Sequence, residues 1–298
     1  MPASLAGQAK ILAIFTLLLL IFFAKPLYDL IRYALQSELF SHVLLIPFIS
    51  GYLILLKKDE LSEGTFPDRK RAIFAITAGL AVLLAYRLAL RTGALVGSTD
   101  YLTWTILSFL LLFLAACQFC LGRETLRILA FPLGFLAFMV PFPDWLTARI
   151  ETFLQHASAI AAQALFGLIG MPVIRDGLRF QLPGIRLEVA QECSGIHSTL
   201  VLVITSLLAG QIFLRTPWRR SLLFLAVIPL GILRNAFRIC TIGHLCVRIG
   251  PEMINSLVHR RGGPVFFVVS LVPLFLLLWF LRKSEPRLEN PRALKPVN

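Results

Sequence analysis

Glu192-Cys193-Ser194-Gly195-Ile196 sets a thiol where a polar stretch meets a long apolar run. A cysteine at the amino end of a helix sees the positive end of the backbone dipole, which favours thiolate over thiol and makes a nucleophile near neutral pH. A solitary cysteine in an apolar chain ordinarily serves as a small buried hydrophobe, so its neighbours decide the reading. Arg234-Asn235-Ala236-Phe237-Arg238 puts two arginines and an amide inside another apolar run. Charge there costs several kcal/mol unless it has a partner or a task. Asn235 and Arg238, three apart, share a helical face, so the amide can orient the guanidinium or bind a substrate backbone. Arg234 lies one turn below and serves the same pocket or pairs with an acid. The third group is His259, in His259-Arg260-Arg261-Gly262-Gly263 just before the last apolar run.

These types suit acyl transfer. An imidazole near its ordinary pKa takes a thiol proton and returns it to a leaving amine, while a fixed arginine offsets charge on a tetrahedral oxyanion. Cys193 is thus the candidate nucleophile, Arg238 the oxyanion partner and His259 the proton carrier. The plain alternative for Arg238 is a structural ion pair or a snorkelling side chain, against which stands the scarcity of acids at its depth. His197, four residues after Cys193, is an alternative proton carrier if both sit on one helix. Ser194 and Glu192 flank the thiol as supporting groups, Glu192 as a partner for Arg238 or an outer arginine. His42 is a further candidate, whereas His156 and His244 read as polar packing or substrate lining. Cys117-Gln118-Phe119-Cys120 has metal or redox spacing, but without two further ligands core packing is favoured.

The elements that carry these groups lie in a bilayer. With 57% hydrophobic residues, 15% charged residues and 24 Phe in 298 positions, too few polar side chains exist to coat a soluble globule. The net charge of +13 sits in short clusters between apolar runs, the positive-inside pattern and not a nucleic-acid face. The five cysteines are odd in number and mostly inside apolar runs, which argues against a disulfide framework.

Spans of roughly 17 to 25 apolar residues are expected at about 11–28, 40–56, 72–90, 101–121, 126–141, 196–214, 221–248 and 264–281. The expected fold is therefore an all-α polytopic membrane protein of about eight transmembrane helices, with both termini cytoplasmic. Lys10 and the apolar run after it resemble a signal-peptide core, but no small-residue cleavage site follows and the run is read as a retained span. Phe153 to Gly170 carries Gln155, His156 and Gln163 and is read as an interfacial amphipathic helix. Leu178 to Leu182 and Ile185 to Val189 alternate about Pro183-Gly184, a small extracytoplasmic β-hairpin leading into Cys193. At about 1.5 Å per residue, Arg238 rises roughly 25 Å from the inner end of its helix, the level expected for Cys193 and His259. Residues 1–282 read as a single transmembrane domain and 283–298 as a basic cytoplasmic tail, with no appended soluble domain.

Glu-Cys-Ser-Gly-Ile opening a span, Asn-x-x-Arg-Ile in the next (Asn235, Arg238, Ile239) and His-x-x-x-Gly before the last (His259, Gly263) together resemble the exosortase/archaeosortase family. The likeness extends more weakly to Ser41-His42 and Pro47. It implies a cysteine transpeptidase in the bacterial inner membrane, active at the extracytoplasmic face, that cleaves a C-terminal sorting signal of exported proteins and passes them to a surface acceptor. The signal would comprise a Pro-Glu-Pro-type (PEP-CTERM) motif, a transmembrane helix and a basic tail. Carried onto this chain, Cys193 is the nucleophile, Arg238 the transition-state cation and His259 the third member; archaeal members resemble this with Arg in place of His. The absence of a phosphate loop or acidic metal cluster leads to the expectation of no cofactor and no metal, and no nucleic-acid partner is expected. The rival reading is a transporter or flippase in which Arg234, Arg238 and His259 bind an anionic head group and Cys193 merely packs.

Overall fold

The computed structural model describes residues 5–61, 68–93, 97–255 and 263–285. Among the described residues the regular structure is helical apart from a small sheet, and the chain divides into two compact units, Met1–Ala148 and Arg149–Asn298.

In the first unit, proline decides where helices stop. The expected span 11–28 is two helices, α1 (Leu5–Phe22) and α2 (Ala24–Gln36), bent by 72°. Pro26 lies four residues after Phe22, so its ring crowds that carbonyl and it has no N–H to offer it. The second expected span, 40–56, resolves into a 3₁₀ turn at Ser41–Leu44 and an 11-residue helix, α3 (Ile46–Leu56), short for a crossing. α4 (Arg69–Thr92) and α5 (Ser98–Cys120) form a long hairpin of two full-length candidate spans. Gly79 lets them approach: a Cβ there would lie 3.0 Å from Leu112, and Ser108 Oγ donates to the Gly79 carbonyl at 2.9 Å.

The expected span 126–141 is broken as well, into α6 (Arg123–Ile128), α7 (Ala130–Phe135) and a 3₁₀ turn at Leu136–Met139. Pro132 leaves the Ile128 carbonyl without its helical donor. Lys57 Nζ supplies one at 2.9 Å, and Ser50 Oγ donates to the Pro132 carbonyl at 2.8 Å. Backbone freed by a break at membrane depth must find such partners. α8 (Asp144–Leu168) begins well before the expected Phe153 and runs on into the second unit, burying Leu154, Ala159, Ala162 and Phe166 on one side. Among the described residues, five helices are long and apolar enough to cross a membrane, or up to seven if each bent pair is one span. The helices of the first unit differ from the expected spans because a hydropathy window averages over the prolines that interrupt these runs.

In the second unit, the expected hairpin is present: β2 (Arg179–Leu182) and β3 (Ile185–Glu188) pair antiparallel with Leu182 opposite Ile185. Gly184 supplies the turn's positive φ of 79°. An unforeseen β1 (Ile174–Asp176) adds to the β2 edge, too short to declare a period in the sequence. Phe180, Leu182 and Leu187 point inward and pack with Phe166 of α8 and with α10 (Pro217–Arg248), where Gly243 admits them; a Cβ there would lie 2.7 Å from Phe166 and 3.0 Å from Leu182. α9 (Ile196–Phe213), α10 and α11 (Gly263–Lys283) share a second apolar core of Leu202, Leu223, Val227 and Leu274. These three helices match the last three expected spans closely.

Candidate active site

The sheet delivers the chain to the thiol through a short sequence of turns. Val189 leaves β3 with its carbonyl held by Gln155 Nε2 of α8 at 3.1 Å. Gln191–Cys193 then form one 3₁₀ turn, closed by Cys193 N–H to the Ala190 carbonyl at 2.9 Å. Ser194 is buried, and Gly195 adopts φ +77° before α9 starts at Ile196. Cys193 therefore does not occupy the first turn of α9, as the sequence suggested. A left-handed residue, Gly195, separates the thiol from the helix, so Cys193 and His197 do not stand one turn apart on a single helix; His197 sits half-buried in the first turn of α9 itself.

What holds this turn is α10. Asn235, 1% exposed, donates through Nδ2 to the carbonyl of Cys193 at 2.8 Å and to that of Ser194 at 3.3 Å. Arg234, 7% exposed, donates from Nη2 to the Gly195 carbonyl at 3.4 Å. That carbonyl also accepts from the backbone N–H of Thr199 at 3.0 Å and from its hydroxyl at 2.9 Å. Backbone leaving a β-strand inside an apolar protein has carbonyls to satisfy, and a carboxamide beside a guanidinium satisfies three in succession. The guanidinium of Arg234 thus meets a backbone dipole at the Gly195 carbonyl.

Gly195 is the residue that spacing alone undervalued. A Cβ there would stand 2.7 Å from Arg234 Nη2 and 3.1 Å from Asn235 Cγ, so any side chain at this position displaces the two groups that hold the turn. Its signal in the sequence was a glycine directly before an apolar helical run. Gly231, on the same helix, meets Thr199 in a similar close crossing, with a built Cβ 2.7 Å from the threonine hydroxyl.

The structure thus brings together Cys193, Ser194, Gly195, Arg234 and Asn235. Arg238 stands on α10 three residues beyond Asn235 and one turn beyond Arg234, half-buried on the same face. Cys193 is half-buried and packs at the margin of the core formed by α8, the sheet and α10. His259 and the side chain of Glu192 lie outside the described residues. Cys117 and Cys120 are both buried in α5, Cys240 and Cys246 in α10, and no disulfide joins any of the five thiols. His42 occupies the 3₁₀ turn of the first unit, its Nδ1 3.1 Å from the Leu39 carbonyl. His156 is exposed on α8, its Nδ1 2.9 Å from the Thr152 carbonyl, and His244 lies within α10. Among the described residues no cluster of three or more metal-ligating side chains forms.

Apolar helices of spanning length, breaks whose carbonyls are satisfied from within, and a polar brace inside the bilayer-length α10 define a polytopic helical membrane protein. Residues 34–276 match the family model described as transmembrane exosortase, and the chain belongs to that family, which is of membrane protease and transpeptidase type. No curated protein and no solved structure matches the chain.

Proposed function

We propose that this protein is a membrane-embedded cysteine transpeptidase that cleaves a C-terminal sorting signal from exported proteins at the extracytoplasmic face of the bacterial inner membrane. The observation that carries the proposal is the Asn235 amide on the Cys193 carbonyl. The amide satisfies a buried carbonyl and, in the same contact, fixes the backbone that carries the thiol; a nucleophile must be held to within a fraction of an ångström of its reacting geometry, and this contact supplies that hold.

In this mechanism Cys193 Sγ attacks the scissile carbonyl and His259 takes the thiol proton. Arg238 neutralises the oxyanion of the tetrahedral intermediate. Collapse expels the amine of the sorting signal, protonated by His259, and leaves the exported protein as a thioester on Cys193. A surface acceptor then attacks the thioester and frees the thiol. Arg234 and Asn235 touch no reacting atom in this scheme; they fix the turn from which the sulfur projects.

Co-expression with a protein bearing such a sorting signal tests the proposal. Cys193→Ala and Cys193→Ser each abolish processing while membrane insertion persists, and mass spectrometry of the wild type captures the donor fragment on Cys193. Full processing by Cys193→Ala, together with a Cys193 inert to membrane-impermeant thiol reagents at every pH, would hand the site to the transporter reading.

A further inference from the structure

Within the first unit a crevice of about 640 Å³ opens between α5 and the broken segment α6–α7. Its walls are apolar, among them Leu107, Leu111, Leu114, Leu133, Leu136 and Val140. Its one charged end gathers Arg71, Arg123 and Arg127 with Asp68 and Glu124. The volume falls within the range of small-molecule sites, and the lining is that of an amphiphile: hydrocarbon along the length, charge at one end.

The dimensions favour one leaflet of lipid. From Leu107 to Gln118 the crevice follows α5 for 11 residue steps, about 16 Å at 1.5 Å per residue. That is half the roughly 30 Å hydrocarbon thickness. The sign of the head group follows from the charges already engaged. Asp68 caps α4, accepting from the Arg71 backbone N–H at 3.3 Å, and pairs with Arg71 Nε at 3.3 Å. Arg123 and Arg127, one turn apart on α6 and both exposed, are then balanced at the mouth by Glu124 alone among the lining acids. Lys57 is fixed nearby, its Nζ on the Ile128 carbonyl, and Arg69 and Lys70 precede Arg71.

The inner wall is kept open by a small residue. A Cβ built on Gly134 meets nothing within 4 Å, although the glycine lines the crevice. Since alanine or leucine would also serve α7 better than glycine as helix formers, the space itself is what glycine preserves here.

We infer that this crevice is a binding site for an anionic glycerophospholipid, one acyl chain lying along α5 and the phosphate held by Arg123 and Arg127. It shares no residue with the thiol turn, and it is independent of the transpeptidase reading. The test is native mass spectrometry of the full-length protein after exchange into detergent containing phosphatidylglycerol or phosphatidylcholine. The wild type retains phosphatidylglycerol in preference to phosphatidylcholine. The double variant Arg123→Gln/Arg127→Gln weakens phosphatidylglycerol by about thirtyfold, two basic side chains' worth of attraction to an anionic head group, and so erases the preference. Gly134→Leu lowers retention of both lipids without lowering the melting temperature. Should the double variant fail to fold, Arg127→Gln alone gives about fivefold by the same reckoning. Equal retention of the two lipids by the wild type, a preference that survives loss of the arginines, or unchanged retention in Gly134→Leu each overturns the assignment.

Discussion

Asn235 Nδ2 lies 2.8 Å from the Cys193 carbonyl oxygen, so a side chain in the middle of one long helix fixes the backbone that precedes the helix before it. The amide is nearly inaccessible and spends its donor on a carbonyl pair, Cys193 and Ser194. In the proposed mechanism it is a positioning group for the thiol.

Replacing it separates positioning from bulk. Asn235→Asp keeps the shape but substitutes an oxygen for the donor, setting an acceptor against two carbonyls. An unsatisfied buried polar group costs about 1–3 kcal/mol. Sorting-signal processing in cells falls at least about tenfold, and impermeant-reagent labelling of Cys193 shows a changed rate at constant protein level. Asn235→Gln, which retains the donor on a longer arm, recovers part of both. Wild-type processing and labelling by the aspartate variant would mean that the contact positions nothing that matters.

Gly195→Ala attacks the same turn from the other side. A left-handed φ costs an L-residue about 1 kcal/mol or more, and the new methyl presses on Arg234 Nη2 at 2.7 Å. The arginine head can yield, but only by giving up the Gly195 carbonyl. Thermal unfolding in detergent drops by a few degrees, at about 2–4 °C per kcal/mol for a chain of this size, and processing drops with it. Gly184→Ala, at a φ of 79° with nothing within 4 Å, carries the backbone cost without the contact and spares processing.

The contrast between these glycines marks what a sequence declares. Pro183-Gly184 between alternating runs announces a hairpin because turn chemistry is local, and the strands appear within a residue of their expected limits. The last three spans were equally legible, being long runs whose polar interruptions, Arg234, Asn235 and Arg238, fall within a continuous helix. The first unit was harder to read. Pro26 and Pro132 each break a run that hydropathy treats as continuous, and whether a proline kinks or ends a helix depends on distant donors such as Lys57 and Ser50. At the site, Cys193, Arg234 and Asn235 stand out in the sequence by type, but the turn that joins them does not. Nothing in Cys193-Ser194-Gly195 reveals that the glycine is left-handed until Arg234 and Asn235 are seen filling the space beside it.

The hairpin's hold on α10 is testable through Phe180. Its ring is fully buried and meets Phe166 edge-on at 5.7 Å, in the core that Gly243 opens to the sheet. Phe180→Ala removes that ring and leaves a cavity, a change that costs about 3–5 kcal/mol in a core that does not collapse. The expected result is a marked loss of thermal stability together with protease sensitivity within residues 171–190, while Phe180→Leu retains most of both. Undiminished stability in the alanine variant would show that the sheet is only loosely seated.

At the far end of the unit, Glu285 ties α11 to the connection between α9 and α10. Its Oε1 accepts from the backbone N–H groups of Arg215 at 2.9 Å and Thr216 at 3.0 Å, while Arg219 donates to the carbonyls of Leu281 and Ser284. The Thr216 N–H, then that of Arg215, holds the carboxyl below its ordinary value of 4.5, with Arg219 adding to the effect. The folded state therefore binds fewer protons than the unfolded state in the acid range. The linkage gives stability that is full above the ordinary carboxylate pKa and lost as pH falls through the lowered one. Melting curves from neutrality into that acid range should show the wild type losing stability more steeply than Glu285→Gln, with the two differing by a constant amount near neutrality. The carboxyl is solvent-exposed, so the difference is small and shrinks with added salt. Parallel acid profiles for the two proteins would remove Glu285 from the fastening and leave it to Arg219 alone.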